Sequence, residues 1–439
     1  MQVDKVTIKD LSIFHKEEEH SVFNYLNFTQ TVGGKEWLRA FVSAPLDNLK
    51  QIEDTQNVLR LIIKEHSKWP ATIITNGTIM VIERFYETSI QEIPSHANFI
   101  SAFFYRIFNL EDFALVRYSV KHFIDLALGM NTIADFLSQE NAPVVLQVMT
   151  ERIKLLLNKP FIKRYLQDKA DVDLSTAEML TFGHFMKRHF KHEALELIDI
   201  YSKLDAYYSL ATACITHQLT FPTISDSPQP FIEVEELYHP LLSIPISYDI
   251  ILDKEKNFLF LTGANMAGKS TFIKAVGISV YLAHLGMGIP AKSMKLSLFD
   301  GLLSNIQVED NIIKGESYFF NEVQRVKKTI EKISDGKKWL ILIDELFKGT
   351  NVQDAMKCST SVIEGLRKMP NAVFVLSTHL YEIGADLQRY PNILFRYFET
   401  DIQDDQLVFS YQLKDGISND RLGYLILKKE GVVTMLDKL

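Results

Sequence analysis

"NFLFLTGANMAGKST", residues 257–271, sets the architecture of this chain. An apolar run from Phe258 to Leu261 leads into Gly263, and helical sequence begins at Lys269. Strand, glycine-flanked loop and helix form the context in which a G-x-x-x-x-G-K-S spacing cradles phosphates. The spacing is filled here by Gly263, Ala264, Asn265, Met266, Ala267, Gly268, Lys269 and Ser270, with Thr271 next. Backbone N–H groups from Ala264 to Ser270 and the positive end of the new helix suit phosphate oxygens. Lys269 is placed to reach the β- and γ-phosphates, and Ser270 to hold Mg²⁺. The reading is a nucleotide site with Mg²⁺.

Three later stretches extend it. In "WLILIDELFKGTN", residues 339–351, five apolar residues end in Asp344. Open α/β sheets bind ligands at the carboxyl ends of their strands. Asp344 is therefore a candidate for the Mg²⁺ shell. Glu345, directly after it, is a candidate general base for the attacking water. Small-molecule kinases need no such acid, so the pair points to ATP hydrolysis. "VFVLSTHL", residues 373–380, ends another strand at His379, which could sense the γ-phosphate or contact the water. In "GESYFFNEV", residues 315–323, Gly315 and Ser317 open a helical pattern. Ser317 is a good helix cap, and a helix start with a serine is also a second phosphate-binding end. In ATP-binding-cassette proteins such a start serves the nucleotide of the opposite subunit.

Ahead of the loop the rhythm differs. Up to about residue 218 the pattern is helical, and the Pro- and Ser-containing stretch 219–245 marks a boundary. The expected domains are 1–225, all-α, and 226–439, α/β. Asp47 is a candidate cap for a helix running through Ile63. The stretch 176–217 is helical throughout, either one strut or two helices broken near Gly183.

Composition narrows the function. With 439 residues, 47% apolar and 23% charged, the chain has core for two or three globular domains. A net charge of -8 excludes a basic nucleic-acid coat, so any DNA contact must be local. Lys187, Arg188, Lys191 and His192 form one basic cluster, readable as a phosphate contact or as a solvated helix face. Cys214 and Cys358 are far apart and fit a reducing compartment better than a disulfide or zinc framework. With no signal-like start and no apolar run of membrane-spanning length, a cytoplasmic protein is expected.

Taken together, these residues resemble the MutS family of DNA mismatch-repair ATPases. The loop carries the family's Asn265-Met266 pair. Asp344, Glu345, Leu346, Gly349 and Thr350 match its Asp-Glu-Leu-Gly-Arg-Gly-Thr segment, with Asp354 also in place and Phe347 where Gly is usual. Asp310, Gly315, Ser317, Phe319 and Glu322 match its signature segment, and Thr378, His379 and Glu382 its Thr-His motif. His239-Pro240 precedes the ATPase domain as in the family. Residues 10–59 and 199–214 resemble parts of its lever domain.

The resemblance implies a helical lever/core domain followed by an ATP-binding-cassette-like P-loop ATPase. It implies a homodimer through the ATPase domains, each site completed by Gly315 and Ser317 of the other copy. DNA and repair proteins are the implied partners, and conversion of ATP and water to ADP and phosphate the implied reaction. The family's mismatch-reading domain has no counterpart in the sequence, so ATP switching is expected more firmly than mismatch recognition. The other reading is an ATP-dependent protein-interaction module that does not bind DNA. Tyr248 is the candidate for stacking on adenine.

Overall fold

The computed structural model describes residues 1–70, 73–167, 174–306, 318–403, 406–418 and 432–436. The chain divides into two compact units: 1–25, 42–53 and 217–439 form one, and 26–41 and 54–216 the other.

The first unit contains all the described strands. They are β1 (Gln2–Val3), β2 (Thr223–Ser225), β3 (Ile232–Leu237), β4 (Tyr248–Leu252), β5 (Phe258–Thr262) and β6 (Ser293–Ser297). After them come β7 (Gly301–Asn305), β8 (Trp339–Asp344), β9 (Ala372–Ser377), β10 (Ile393–Gln403) and β11 (Gln406–Asp415). The main sheet runs β1-β7-β8-β9-β5-β10-β11, and a smaller one β2-β6-β3-β4. All neighbours in the main sheet are parallel except β10 and β11. Every residue of β5, β8 and β9 is buried. That is why these strands read as continuous apolar runs rather than as alternating ones. Helices α1 (Lys5–Asp10), α2 (Val22–Leu26), α12 (Lys269–His284), α13 (Tyr318–Ile333), α14 (Val352–Leu366) and α15 (Glu382–Leu387) accompany the strands.

The segment 1–25, expected within the helical half, belongs to the sheet unit instead. β1 pairs with β7 at the sheet edge. The buried Asp10 carboxylate accepts from Ser304 Oγ at 2.5 Å and from the Ile306 amide at 2.9 Å. Thr7 Oγ1 accepts from the Ser304 amide at 2.9 Å. A two-residue strand has no periodicity to read, and its anchors lie some 300 residues downstream.

Residues 42–53 are tied to α12. Tyr281 donates to the Val42 carbonyl at 2.6 Å, and the Leu46 amide donates to the His284 carbonyl at 2.7 Å. The fully buried His284 ring bridges two backbones, with Nδ1 2.9 Å from the Leu46 oxygen and Nε2 accepting from the Phe299 amide at 3.3 Å. Nδ1 therefore carries the proton and the ring is neutral. Burial pushes its pKa from 6.5 down to about 4. The unfolded chain takes up this proton first. The stabilisation is whole above about pH 6.5 and is lost on descent towards 4, by about 3 kcal/mol. Urea unfolding between pH 7 and 4.5 should show a shallower pH slope in His284→Asn. An unchanged slope would remove His284 as the cause.

The second unit contains helices and, among its described residues, no strand. They are α3 (Val32–Ser43), α4 (Leu49–Lys64), α5 (Asn76–Glu87), α6 (Phe99–Phe108), α7 (Leu110–Leu137), α8 (Val144–Leu157), α9 (Pro160–Gln167), α10 (Thr176–His189) and α11 (Lys191–Thr216). The cap of α4 is Asn48, which accepts from the Gln51 amide at 3.3 Å, and not Asp47. The long helical stretch breaks at Phe190 (φ -134°), not at Gly183. Gly183 lies inside α10 for another reason: a Cβ there would come within 2.5 Å of Val116 on α7. The glycine permits close helix packing. No helix among the described residues is long and apolar enough to cross a membrane.

Candidate functional site

The neighbouring strands β8, β9 and β5 end at one level, with Asp344 opposite Ser377 and Ser377 opposite Leu261. The loops leaving these ends bring most of the candidate residues together. Gly263 (φ 141°) and Gly268 (φ 107°) bracket the loop in backbone conformations open to glycine. A Cβ on Gly263 would also stand 3.1 Å from Phe398 Cβ and 3.2 Å from the Phe398 carbonyl oxygen. Ala264 and Ala267 are buried and seat the loop, while Asn265 and Met266 are exposed at its tip. Helix α12 starts at Lys269, with Thr271 in its first turn.

Lys269 is buried, and its ammonium donates back to the Gly263 and Ala264 carbonyls at 2.7 and 2.8 Å. Burial pushes its pKa down to about 8, against the upward pull of the Glu345 and Asp344 carboxylates. Ser270 Oγ donates to Asp344 Oδ2 at 2.5 Å, and Ser377 Oγ donates to Asp344 Oδ1. Sequence reading missed Ser377. Its signal was its place immediately before Thr378-His379 at the end of a buried strand. A hydroxyl and a carboxylate are hard oxygen donors, and Mg²⁺ takes one or two such protein ligands and completes its shell with water and phosphate oxygens. Ser270 and Asp344 fit that role.

Glu345 follows Asp344 with φ 65°, in the left-handed region where a non-glycine residue is strained. Its amide donates to the Ser377 carbonyl at 3.0 Å. One carboxylate oxygen meets His379 Nε2 and the other lies 2.9 Å from Lys348 Nζ. Burial pushes the Glu345 carboxyl up. The hydrogen bonds and charges of His379 and Lys348 outweigh that and hold it at about 2. The group is thus an anion at neutral pH.

Residues 259–435 match the family model described as MutS domain V. Through this stretch the chain is similar to proteins of the MutS family. The DNA mismatch repair protein MutS of Oceanobacillus iheyensis is 27% identical over 324 residues, covering 69% of this chain and 36% of that protein. That of Thermotoga maritima is 28% identical over 251 residues, covering 56% and 31%. The DNA mismatch repair protein MSH3 of Candida glabrata is 27% identical over 315 residues, covering 69% and 30%. The chain spans about a third of the length of these curated relatives.

The MutS-like signature residues Asp310, Gly315 and Ser317 lie outside the described residues. The helix that follows them, α13, is described, and it carries a residue whose role the sequence did not disclose. The buried Glu322 carboxylate accepts the Lys348 amide on one oxygen and the Gly349 amide on the other, both at 3.1 Å. It thereby ties α13 to the loop that orients Glu345. Phe347, where MutS proteins usually carry Gly, is held at φ 59°. The buried Phe347 ring packs 5.7 Å from Phe319 of α13, and this contact offsets the backbone strain. Glu322→Ala is expected to lower ATP turnover about tenfold, the worth of hydrogen bonds to a charged group, with ATP affinity unchanged. Glu322→Gln, which keeps one acceptor, should recover part of the loss. Equal turnover in all three proteins would make Glu322 a core residue only.

Two expectations are corrected. Tyr248 does not present an open ring: it is buried edge-on between Phe272 and Phe398, at 5.4 and 5.5 Å. Lys187 is not a free member of the basic cluster. Its ammonium donates to the Phe85 and Thr88 carbonyls at 2.5 and 2.8 Å, closing the carboxyl end of α5.

Proposed function

We propose that the chain is an ATP-hydrolysing switch of the MutS type, using Mg²⁺, whose helical unit acts as a lever for DNA. The observation that carries this reading is the meeting of Lys269, Ser270, Asp344, Glu345 and His379 at the ends of β5, β8 and β9. Backbone N–H groups of residues 263–270 and the start of α12 hold the phosphates. Lys269 turns from the Gly263 and Ala264 carbonyls to the β- and γ-phosphates. Ser270 and Asp344 hold Mg²⁺, which when bound offsets phosphate charge. Glu345 orients the water and takes its proton as oxygen bonds to the γ-phosphorus and the bond to ADP breaks. His379, which holds the Glu345 carboxylate at rest, turns to the γ-phosphate when ATP is bound.

Two copies close over ATP, each site completed by Gly315 and Ser317 of the other. Closure shifts the population only as far as ATP prefers the closed state. The helical unit carries that change to DNA, with repair proteins as further partners in the cytoplasm. A second reading, a protein-interaction module without DNA binding, is favoured by the net charge of -8 and by the engagement of Lys187. ATP turnover against homoduplex, mismatched and branched DNA, with salt titrated in each, separates the two. The first reading expects an effect of DNA that fades steeply with salt. Turnover indifferent to every DNA favours the second.

A further inference from the structure

We infer that α6 is a self-association surface, through which two copies of this chain pair without nucleotide. The helix reads FISAFFYRIF and holds one charged residue, Arg106. Phe99, Phe103 and Ile107 form one row along it and Ile100, Phe104 and Phe108 the next, each at a spacing of four. All six are between 50% and 84% exposed. The rotation of the helix is fixed. Asn98 and Ser101 form a capping box at its start, Ala102 and Tyr105 are its buried residues, and Tyr105 donates to the Gln91 carbonyl at 3.3 Å. The apolar rows therefore cannot roll inward without breaking these anchors. Arg106 lies over the Phe113 ring at 5.7 Å.

The size of the surface argues for its occupant. Six large side chains at these exposures present roughly 700 Å² of apolar area. The largest patch on an ordinary monomer is about 300–600 Å², and a stable interface takes about 800 Å² from each partner. The patch supplies nearly one partner's share before any rim is counted. It also lacks a charge pattern that would select an oppositely charged protein. A face of unsigned apolar rows complements its own copy, as a two-fold interface requires.

The test is sedimentation equilibrium of the full chain, nucleotide-free, from about 1 to 100 μM. A dimer is expected, with Ile100→Asp/Phe104→Asp weakening it at least about a hundredfold, because each copy would bury two carboxylates. Both side chains are exposed, so thermal unfolding should match the wild type. Hydrogen exchange over residues 99–108 of the unaltered protein, expected to slow as concentration rises, gives an answer independent of the variant. A wild type that stays monomeric, a dimer indifferent to the double substitution, or α6 exchange independent of concentration would each overturn the inference. So would a monomer that co-floats with phosphatidylcholine vesicles, since the occupant would then be a lipid surface. Pairing that appears only with ATP would place the contact at the ATPase site and overturn this proposal while supporting the function proposed above.

Discussion

Glu345→Gln is expected to lower ATP turnover by about 10²- to 10⁴-fold, the range for loss of a general base, with ATP still bound. Gln matches Glu in size and leaves the Asp344–Ser270 pair untouched, but its amide cannot take a proton from water. The resting geometry makes the result more than a formality. A carboxylate held at about 2 by His379 and Lys348 is a weak base. It becomes effective when those partners turn towards a newly arrived anion, and the γ-phosphate is such an anion. Single-turnover hydrolysis and an equilibrium titration with ATP, performed on the same protein, read the two quantities separately. Undiminished hydrolysis would move the base to another residue. Lost binding would make Glu345 a structural support of the loop.

Lys269→Met should weaken ATP binding by about a hundredfold or more, since bonds from a charged donor contribute about 1.5–3 kcal/mol each. The fold should survive. In the resting protein the ammonium lies buried against two carbonyls, at 2.7 and 2.8 Å, and burial already disfavours its charge. A methionine of similar length fills the same channel without a charge to desolvate, which offsets the two lost hydrogen bonds. Calorimetric titration with ATP beside a thermal melt gives both answers. Retained affinity would mean that residues 263–270 are a turn and not a phosphate cradle.

The residues legible in sequence are those whose chemistry is local. The loop, Asp344, Glu345 and His379 each follow an apolar strand directly, so a strand-end reading puts them at one edge of the sheet. What could not be read depends on distant partners. Ser377 gains meaning only because β9 lies beside β8, and Glu322 only because α13 packs on Phe347. Lys187 looks like a surface charge until α5 supplies carbonyls to it. Gly183 looks like a break because glycine weakens helices, yet its missing Cβ makes room for Val116. In each case a long-range contact overrides a local propensity.

The pairing of β1 with β7 has a consequence for synthesis on the ribosome. Gln2 and Val3 are made long before Gly301 and Leu302, to which they pair. At about 5–20 residues per second, that interval is on the order of 15–60 s. Throughout it Asp10, destined for full burial, has neither Ser304 nor Ile306 to bind. The helical unit, whose residues emerge within the interval, can fold in the meantime. Of the paired strands described, β1 thus waits longest for its neighbour, and the sheet unit is assembled from segments on both sides of the helical one.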